Sequence, residues 1–495
     1  MTRLKKPLLC LSVFILFAAL TRAQQKPDII YILADDLGYG DLSCLNANSK
    51  LPTVNIDKMS AEGMRFTDAH SSSAVCTPTR YGILTGRYAW RTRLQNGVLW
   101  GYDTMLIKND KTTLASLLKH NGYRTGCIGK WHLGLDWQKD ARGNFDFFQP
   151  ISRSPLQVGF DYFYGIPASL DMHPYFYMEN NRVTATVVDS TVGNSGKGFW
   201  RAGPAGNDFR HEEVLDRITA KAVDYISREA KSGHPFFLYF ALTSPHTPIL
   251  PTASWLGKSA TNAYGDFVLM TDDMVGKILD AVKAAGIEQN TIIVFTSDNG
   301  CSPSAGFEEL YAAGHHSSSI YRGAKADIFE GGHRVPFIVK WPQKVKAGTV
   351  TPSTVCLTDF LATLADLLQQ PLKDNEGEDS FSLLPLLLQK KGYARTSTIH
   401  HSIDGNFAIR KNEWKLIFAR GSGGWSVPTE KEAKAQGLPD LQLYNLKTDI
   451  GETNNVAAIH PLMVQELLNI METIVKNGRS TQGKKQENDI PVNYR

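Results

Sequence analysis

Cysteine is scarce in this chain. Six are spread over 495 residues, at Cys10, Cys44, Cys76, Cys127, Cys301 and Cys356. Scattered so widely they make no disulfide framework, and most are expected to be buried thiols. Long apolar runs are as scarce. The single candidate, Leu8 to Leu20, is too short to cross a bilayer. It follows Arg3, Lys5 and Lys6 and precedes Thr21-Arg22-Ala23, the order of an export signal, which puts the mature start at Gln24. Cys10 lies near the start of that run, which argues against lipidation. No dense Lys/Arg run follows, and a net charge of +4 is small for this length, so no nucleic-acid partner is expected. The mature chain is expected to be periplasmic or extracellular, with no membrane span.

What the sequence does contain is a set of short apolar runs that end in polar clusters. Ile29 to Leu33 leads into Asp35-Asp36, and Tyr123 to Ile128 into Lys130 and His132. Phe236 to Phe240 leads toward His246, and Ile292 to Phe295 into Asp298-Asn299. Unbroken apolar strands are covered on both faces, which predicts a mainly parallel sheet. Helical patterns alternate with them over Thr112 to Asn121, His211 to Ala230 and Gly265 to Ala285. Ligands in such sheets bind beyond the carboxyl ends of the strands. All four polar clusters fall there, which points to one shared site.

Residues 140–210 are rich in Gly, Pro and aromatics with little periodicity and are read as long loops or a substrate-facing insertion. A composition shift near Gln389-Lys390-Lys391-Gly392 separates a large α/β unit, 24–390, from a smaller α+β subdomain, 391–495. Thr398 to His401, Asn406 to Arg410 and Trp414 to Phe418 read as short antiparallel strands. Leu462 to Val475 reads as a closing helix with Pro461 at its first position. The polar tail from Asn477 to Arg495 is expected to be mobile.

Cys76-Thr77-Pro78-Thr79-Arg80 places a cysteine where a helix begins. Proline is favoured just inside a helix start, so Cys76 sits at the positive end of a helix dipole, with Arg80 one turn on. Alone, that pattern is equally that of a plain cysteine before a helix. Asp35, Asp36, Asp298 and Asn299 offer only oxygens, which suits a hard cation such as Ca²⁺ better than zinc. Either acidic pair alone is as well explained by a helix cap. His132 and His246 can carry a proton in either direction near neutral pH.

Cys76 to Arg80 followed by Leu84-Thr85-Gly86-Arg87 resembles the signature of the sulfatase family, in the alkaline-phosphatase-like superfamily. The resemblance continues in Asp35-Asp36-Leu37-Gly38, Gly129-Lys130-Trp131-His132-Leu133-Gly134, Ser244-Pro245-His246, Ser297-Asp298-Asn299-Gly300 and Glu330-Gly331-Gly332. Six ordered matches make coincidence a poor explanation. The resemblance implies a large, mainly parallel mixed sheet sandwiched by helices, with a smaller C-terminal subdomain. It implies one Ca²⁺ held by Asp35, Asp36, Asp298, Asn299 and residue 76. It also implies that a separate maturation enzyme converts Cys76 to formylglycine (3-oxoalanine).

On that resemblance, hydrated formylglycine attacks sulfur and a covalent sulfo-enzyme forms. Arg80, Lys130 and Lys325 stabilise the sulfate oxygens, His246 protonates the leaving oxygen and His132 restores the aldehyde. Lys325 lies in Arg322-Gly323-Ala324-Lys325, where sulfatases often carry a second glycine. The chain looks most similar to carbohydrate sulfatases acting on 6-sulfated galactose or N-acetylgalactosamine. Asp171, His173 and His211 are the candidate sugar contacts. The alternatives are another sulfate position (4-O, 3-O or 2-O), a phosphatase or phosphodiesterase of the same superfamily, or a non-catalytic glycan binder. Cys76 and Asn299 argue against the two-zinc enzymes, and the complete motif set argues against the binder.

Overall fold

Along the strand Asp28–Ala34 the side chains divide between two cores. Ile29, Tyr31 and Leu33 enter one, while Ile30, Ile32 and Ala34 enter the other. Successive side chains on a strand point to opposite faces, so an unbroken apolar run is stable only with cover on both sides. The computed structural model describes residues 26–494, and the expected export signal lies outside them. No described helix is long and apolar enough to cross a membrane.

The main sheet has ten strands. Their order is Thr349–Thr351, Met64–Phe66, Phe337–Lys340, Thr291–Ser297, Asp28–Ala34, Phe236–Ala241, Arg124–Lys130, Tyr162–Ile166, Met178–Glu179 and Arg182–Val183. The five from Thr291–Ser297 to Tyr162–Ile166 run parallel, and antiparallel strands extend both edges. Helices Cys76–Thr85, Leu114–His120 and Phe360–Leu367 cover one face. Val54–Ala61, Val214–Glu229 and Ala263–Ala284 cover the other.

The strand Tyr162–Ile166 corrects the reading of residues 140–210 as loops. It pairs with Arg124–Lys130 in register Gly126↔Tyr162 to Lys130↔Ile166. Five residues interrupted by Gly165 are too few to show a period in sequence. A hairpin of Val188–Thr191 and Gly203–Gly206 also lies in that segment.

The C-terminal sheet has four antiparallel strands, Thr398–His401, Phe407–Lys411, Trp414–Ile417 and Gln442–Asn445. The helix Pro461–Asn477 lays Leu467, Met471, Ile474 and Val475 on a core that also takes Tyr88 and Trp90 from the main unit. The expected mobile tail is instead pinned. Asp489 N donates to the Arg91 carbonyl (2.7 Å), Arg87 Nη2 reaches Asp489 Oδ1 (3.1 Å), and Val492 and Tyr494 pack on the same core. Its polar residues are partners for buried arginines, a pairing that composition alone does not reveal.

Candidate active site

Each polar cluster lies just past a parallel strand, so neighbouring strands bring distant sequence positions together. Asp35 and Asp36 follow Asp28–Ala34, and Asp298 and Asn299 follow the adjacent Thr291–Ser297. Lys130 ends its strand, and His246 follows Phe236–Ala241. Cys76 opens the fully buried helix Cys76–Thr85, which ends at Gly86 in the left-handed region. The turns meet backbone to backbone: a Cβ on Gly300 would stand 1.9 Å from the Gly331 carbonyl oxygen. That contact explains Gly300, and a Cβ on Gly331 would in turn stand 2.2 Å from the Gly323 carbonyl oxygen.

Three cations and three carboxylates interlock around Cys76. Arg80 Nε and Nη2 donate to Asp298 Oδ2 (3.0 and 2.7 Å), and its Nη1 donates to the Lys130 carbonyl (3.1 Å). Lys130 Nζ donates to Asp35 Oδ2 (2.7 Å) and Ser169 Oγ (3.1 Å). Lys325 Nζ donates to Asp36 Oδ2 (2.7 Å). Asn299 Nδ2 donates to Asp36 Oδ1 (2.7 Å). Burial works against the charge on Asp35, but Lys130 beside it holds the carboxyl well below the usual range. Burial and the Asp35 carboxylate push Asp298 up to about 7, so negative charge is crowded here.

The buried Asn299 Oδ1 has no hydrogen-bond partner among the described residues, and Asp35 Oδ1 makes no hydrogen bond there, only an ion pair with Arg80 Nη2 at 3.3 Å. Asp35, Asp36 and His246 place ligand atoms within 4.8 Å of one another. An unpartnered buried oxygen amid crowded carboxylates fits a hard cation, which would relieve both.

The histidines are set in defined tautomers. His132 Nε2 donates to the Leu99 carbonyl (2.7 Å), leaving its buried Nδ1 without a partner and with a free lone pair. Burial, then Lys130 and Arg80, hold its pKa well below 6.5, so it is neutral. His132 adopts φ 55°, a strained value for a β-substituted residue, as does Asp36 at φ 64°. His246 Nδ1 is tied to the Thr247 carbonyl, and its Nε2 lies 3.6 Å from Asp36 Oδ2. Burial lowers the His246 pKa, with Asp36 opposing. Burial also pushes the Cys76 thiol up, against Lys130 and Lys325.

A model of the sulfatase family matches residues 27–370. This chain belongs to the sulfatase family, and it is a sulfuric ester hydrolase. Among curated relatives, the N-acetylgalactosamine-6-O-sulfatase of Bacteroides thetaiotaomicron is 35% identical, over 91% of this chain and 93% of that one. The mouse N-acetylgalactosamine-6-sulfatase is 32% identical over 91% and 85%, and human arylsulfatase A is 31% identical over 92% and 89%. A solved Bacteroides thetaiotaomicron 6S-sulfatase from a locus for glycosaminoglycan metabolism superposes with a TM-score of 0.81. It is 35% identical and covers 91% of this chain and 99% of that one.

In this sulfatase the cluster opens to solvent through a cavity of about 320 Å³. Cys76, Asp36, His246 and Lys325 line its floor, and Asp171, Met172, Trp100, Phe199, Arg201 and Trp425 line its walls and mouth. Of the three candidate sugar contacts, only Asp171 lines this cavity. His173 is half-buried, with Nδ1 3.2 Å from the Tyr102 hydroxyl. His211 stacks on Trp200 (4.2 Å, 15°) and faces a separate cavity. Trp100, Phe199, Arg201 and Trp425 were not expected. They come from loops with no motif, and no pattern in the sequence marks them. Glu330, in the sixth matched motif, serves architecture: it pairs with Lys415 (3.1 Å) and Arg334 (2.9 Å) beneath the C-terminal sheet.

Proposed function

We propose that this sulfatase removes a 6-O-sulfate from galactose or N-acetylgalactosamine in a sulfated glycan, using Cys76 after its conversion to formylglycine. The observation that carries the catalytic part is the convergence of Arg80, Lys130 and Lys325 around a buried Cys76 at the start of a helix. Maturation takes two electrons and two protons from the cysteine to an oxidant, releases the sulfur as sulfide and brings in one oxygen from water or the oxidant, leaving an aldehyde. Two relatives named as N-acetylgalactosamine-6-sulfatases support the substrate reading, and Asp171 Oδ1, a buried acceptor without a partner in the cavity wall, supports a sugar hydroxyl there.

Asp35, Asp36, Asp298 and Asn299 would hold Ca²⁺, with residue 76 completing the set. The ion would supply charge stabilisation for the sulfate and the nucleophile. Lys130 and Lys325 carry charge toward the sulfate oxygens, which is preorganised stabilisation of the transition state. Arg80 holds Asp298 in place and adds positive potential at the helix start. His246 presents Nε2 to the leaving oxygen; with its Nδ1–H held by the Thr247 carbonyl, it delivers a proton from Nε2 only as the imidazolium, the form that the Asp36 carboxylate beside it favours. His132 accepts a proton at Nδ1, the atom its bond to Leu99 leaves free.

A screen of defined sugar sulfates tests this reading. Sulfate release from 6-sulfated galactose or N-acetylgalactosamine should exceed release from the 4-sulfated isomers and from the matching phosphate ester. Preference for a 4-, 3- or 2-sulfate would overturn the position, and preference for phosphate would overturn the chemistry.

A further inference from the structure

The mouth of the catalytic cavity carries a second cationic group whose hydrogen-bonding capacity is only half used. Arg201 Nη1 donates to Asp171 Oδ2 (2.6 Å) and to the Asp171 carbonyl (2.9 Å). Among the described residues, Nε and Nη2 donate to nothing. Its guanidinium is held between two rings, 4.9 Å from the Trp100 centroid and 5.0 Å from that of Phe199. The side chain is 37% exposed, so the free edge is open to a ligand.

This placement follows from the local chain. Phe199 and Arg201 both face the catalytic cavity, while Trp200 between them faces the neighbouring cavity with His211. Alternation along an extended segment puts consecutive residues on opposite sides. The Arg201 backbone N–H is fixed to the Asp171 carbonyl (3.3 Å), and the Tyr175 hydroxyl donates to the Arg201 carbonyl (2.7 Å). Arginine at this position is therefore held at both backbone and side chain, with one face of its fork committed.

We propose that the Nε–Nη2 edge of Arg201 is a specificity element for a second oxyanion on the glycan, a carboxylate or a second sulfate beside the sulfate that is cleaved. The inference rests on the glycan-sulfatase reading above. The Nε–Nη2 pair presents two parallel N–H groups, the geometry that recognises an oxyanion bidentately. Lysine cannot reproduce it. Asp171 serves both ends of the contact. Its Oδ2 anchors Arg201, while its Oδ1, buried and without a partner, is free to accept a hydroxyl from the same sugar. The exposed faces of Trp100 and Trp425 flank the opening and give the sugar ring a surface to lie against. A cavity of about 320 Å³ is at the small end for ligand sites, so the second anion lies at the mouth, where Arg201 is.

The test compares wild type, Arg201→Lys and Arg201→Gln on three substrates that share one scissile sulfate. They are a monosulfated monosaccharide, the same sugar with a second sulfate, and the same sugar linked to a uronic acid. Both variants should lose about tenfold to a hundredfold more in kcat/KM on a two-anion substrate than on the monosulfated one, mainly through KM. A selective loss with the uronic acid identifies a carboxylate, and with the second sulfate a sulfate. Equal loss on all three overturns the inference and leaves Arg201 as a brace for Asp171. If wild type cleaves no 6-sulfate but another isomer, the regiochemistry above fails alone, and the same three arms are built on the position it does cleave.

Discussion

Arg80 grips one oxygen of Asp298 with two nitrogens, leaving Oδ1 of that carboxylate to accept from the Asp36 backbone N–H at 3.2 Å. One buried guanidinium thus fixes a carboxylate that also orders the neighbouring acidic turn. Arg80→Lys keeps the charge but loses the fork and the bond to the Lys130 carbonyl. It should lower kcat by about a hundredfold or more, since positioning of a charged site is lost. Arg80→Ala leaves Asp298 buried and unpaired and should also cost about 3–5 kcal/mol of stability. Steady-state kinetics with denaturant unfolding check both, and a fully active Arg80→Lys enzyme would contradict this role.

The metal reading predicts a conditional loss. A calcium chelator should abolish activity and lower the melting temperature, and Ca²⁺ should restore both, because an ion that binds only the folded state stabilises it. Asp298→Ala should cost more activity than Asn299→Ala, since it also frees Arg80. Restoration by Zn²⁺ alone would show that the oxygen-donor site has been misread.

Asp171 is expected to discriminate between substrates. Asp171→Ala removes a buried acceptor and the anchor of Arg201, so glycan turnover should lose about 1–3 kcal/mol in transition-state stabilisation. The loss on a small aryl sulfate, which has no sugar hydroxyl to offer, should be several times smaller. Parallel losses on both would assign Asp171 to structure.

The strand-end motifs were legible because chemistry and topology coincide there: Asp35, Lys130, His246 and Asp298 each follow an apolar run that can only be a buried strand. Even the C-terminal strand Thr398–His401 showed through its bounded β-branched pattern. The cavity mouth was not legible. Trp100, Trp425 and the pair Phe199 and Arg201 arrive from three separate loops, and only the packed fold brings them together. His211 opens a short helix as expected, but the fold sets it apart from this cavity, its ring stacked on Trp200 and facing a neighbouring one. The tail was misread because its polarity suggested solvent when its partners are Arg87 and Arg91.

Buried neutral histidines predict acid sensitivity. Burial pushes His401 down to about 4, and its Nε2 is tied to the Gln95 carbonyl while Nδ1 has no partner. The unfolded value is near 6.5, so the stabilisation is complete above that pH and is lost as pH falls toward about 4. The upper bound on this loss is about 3 kcal/mol. His70, His333 and His400, also lowered by burial, act in the same direction. Urea unfolding at pH 7, 5.5 and 4 (all about) should show stability falling in wild type and falling less in His401→Asn. Identical pH slopes would remove His401 from this account.

The central claim is that residue 76 works only as an aldehyde. Mass analysis of the peptide spanning Cys76, taken from enzyme of measured specific activity, tests it most directly. The account predicts an aldehyde or its hydrate in place of the thiol, in a fraction that tracks activity from one preparation to the next. Fully active enzyme carrying an unmodified Cys76 thiol would contradict it.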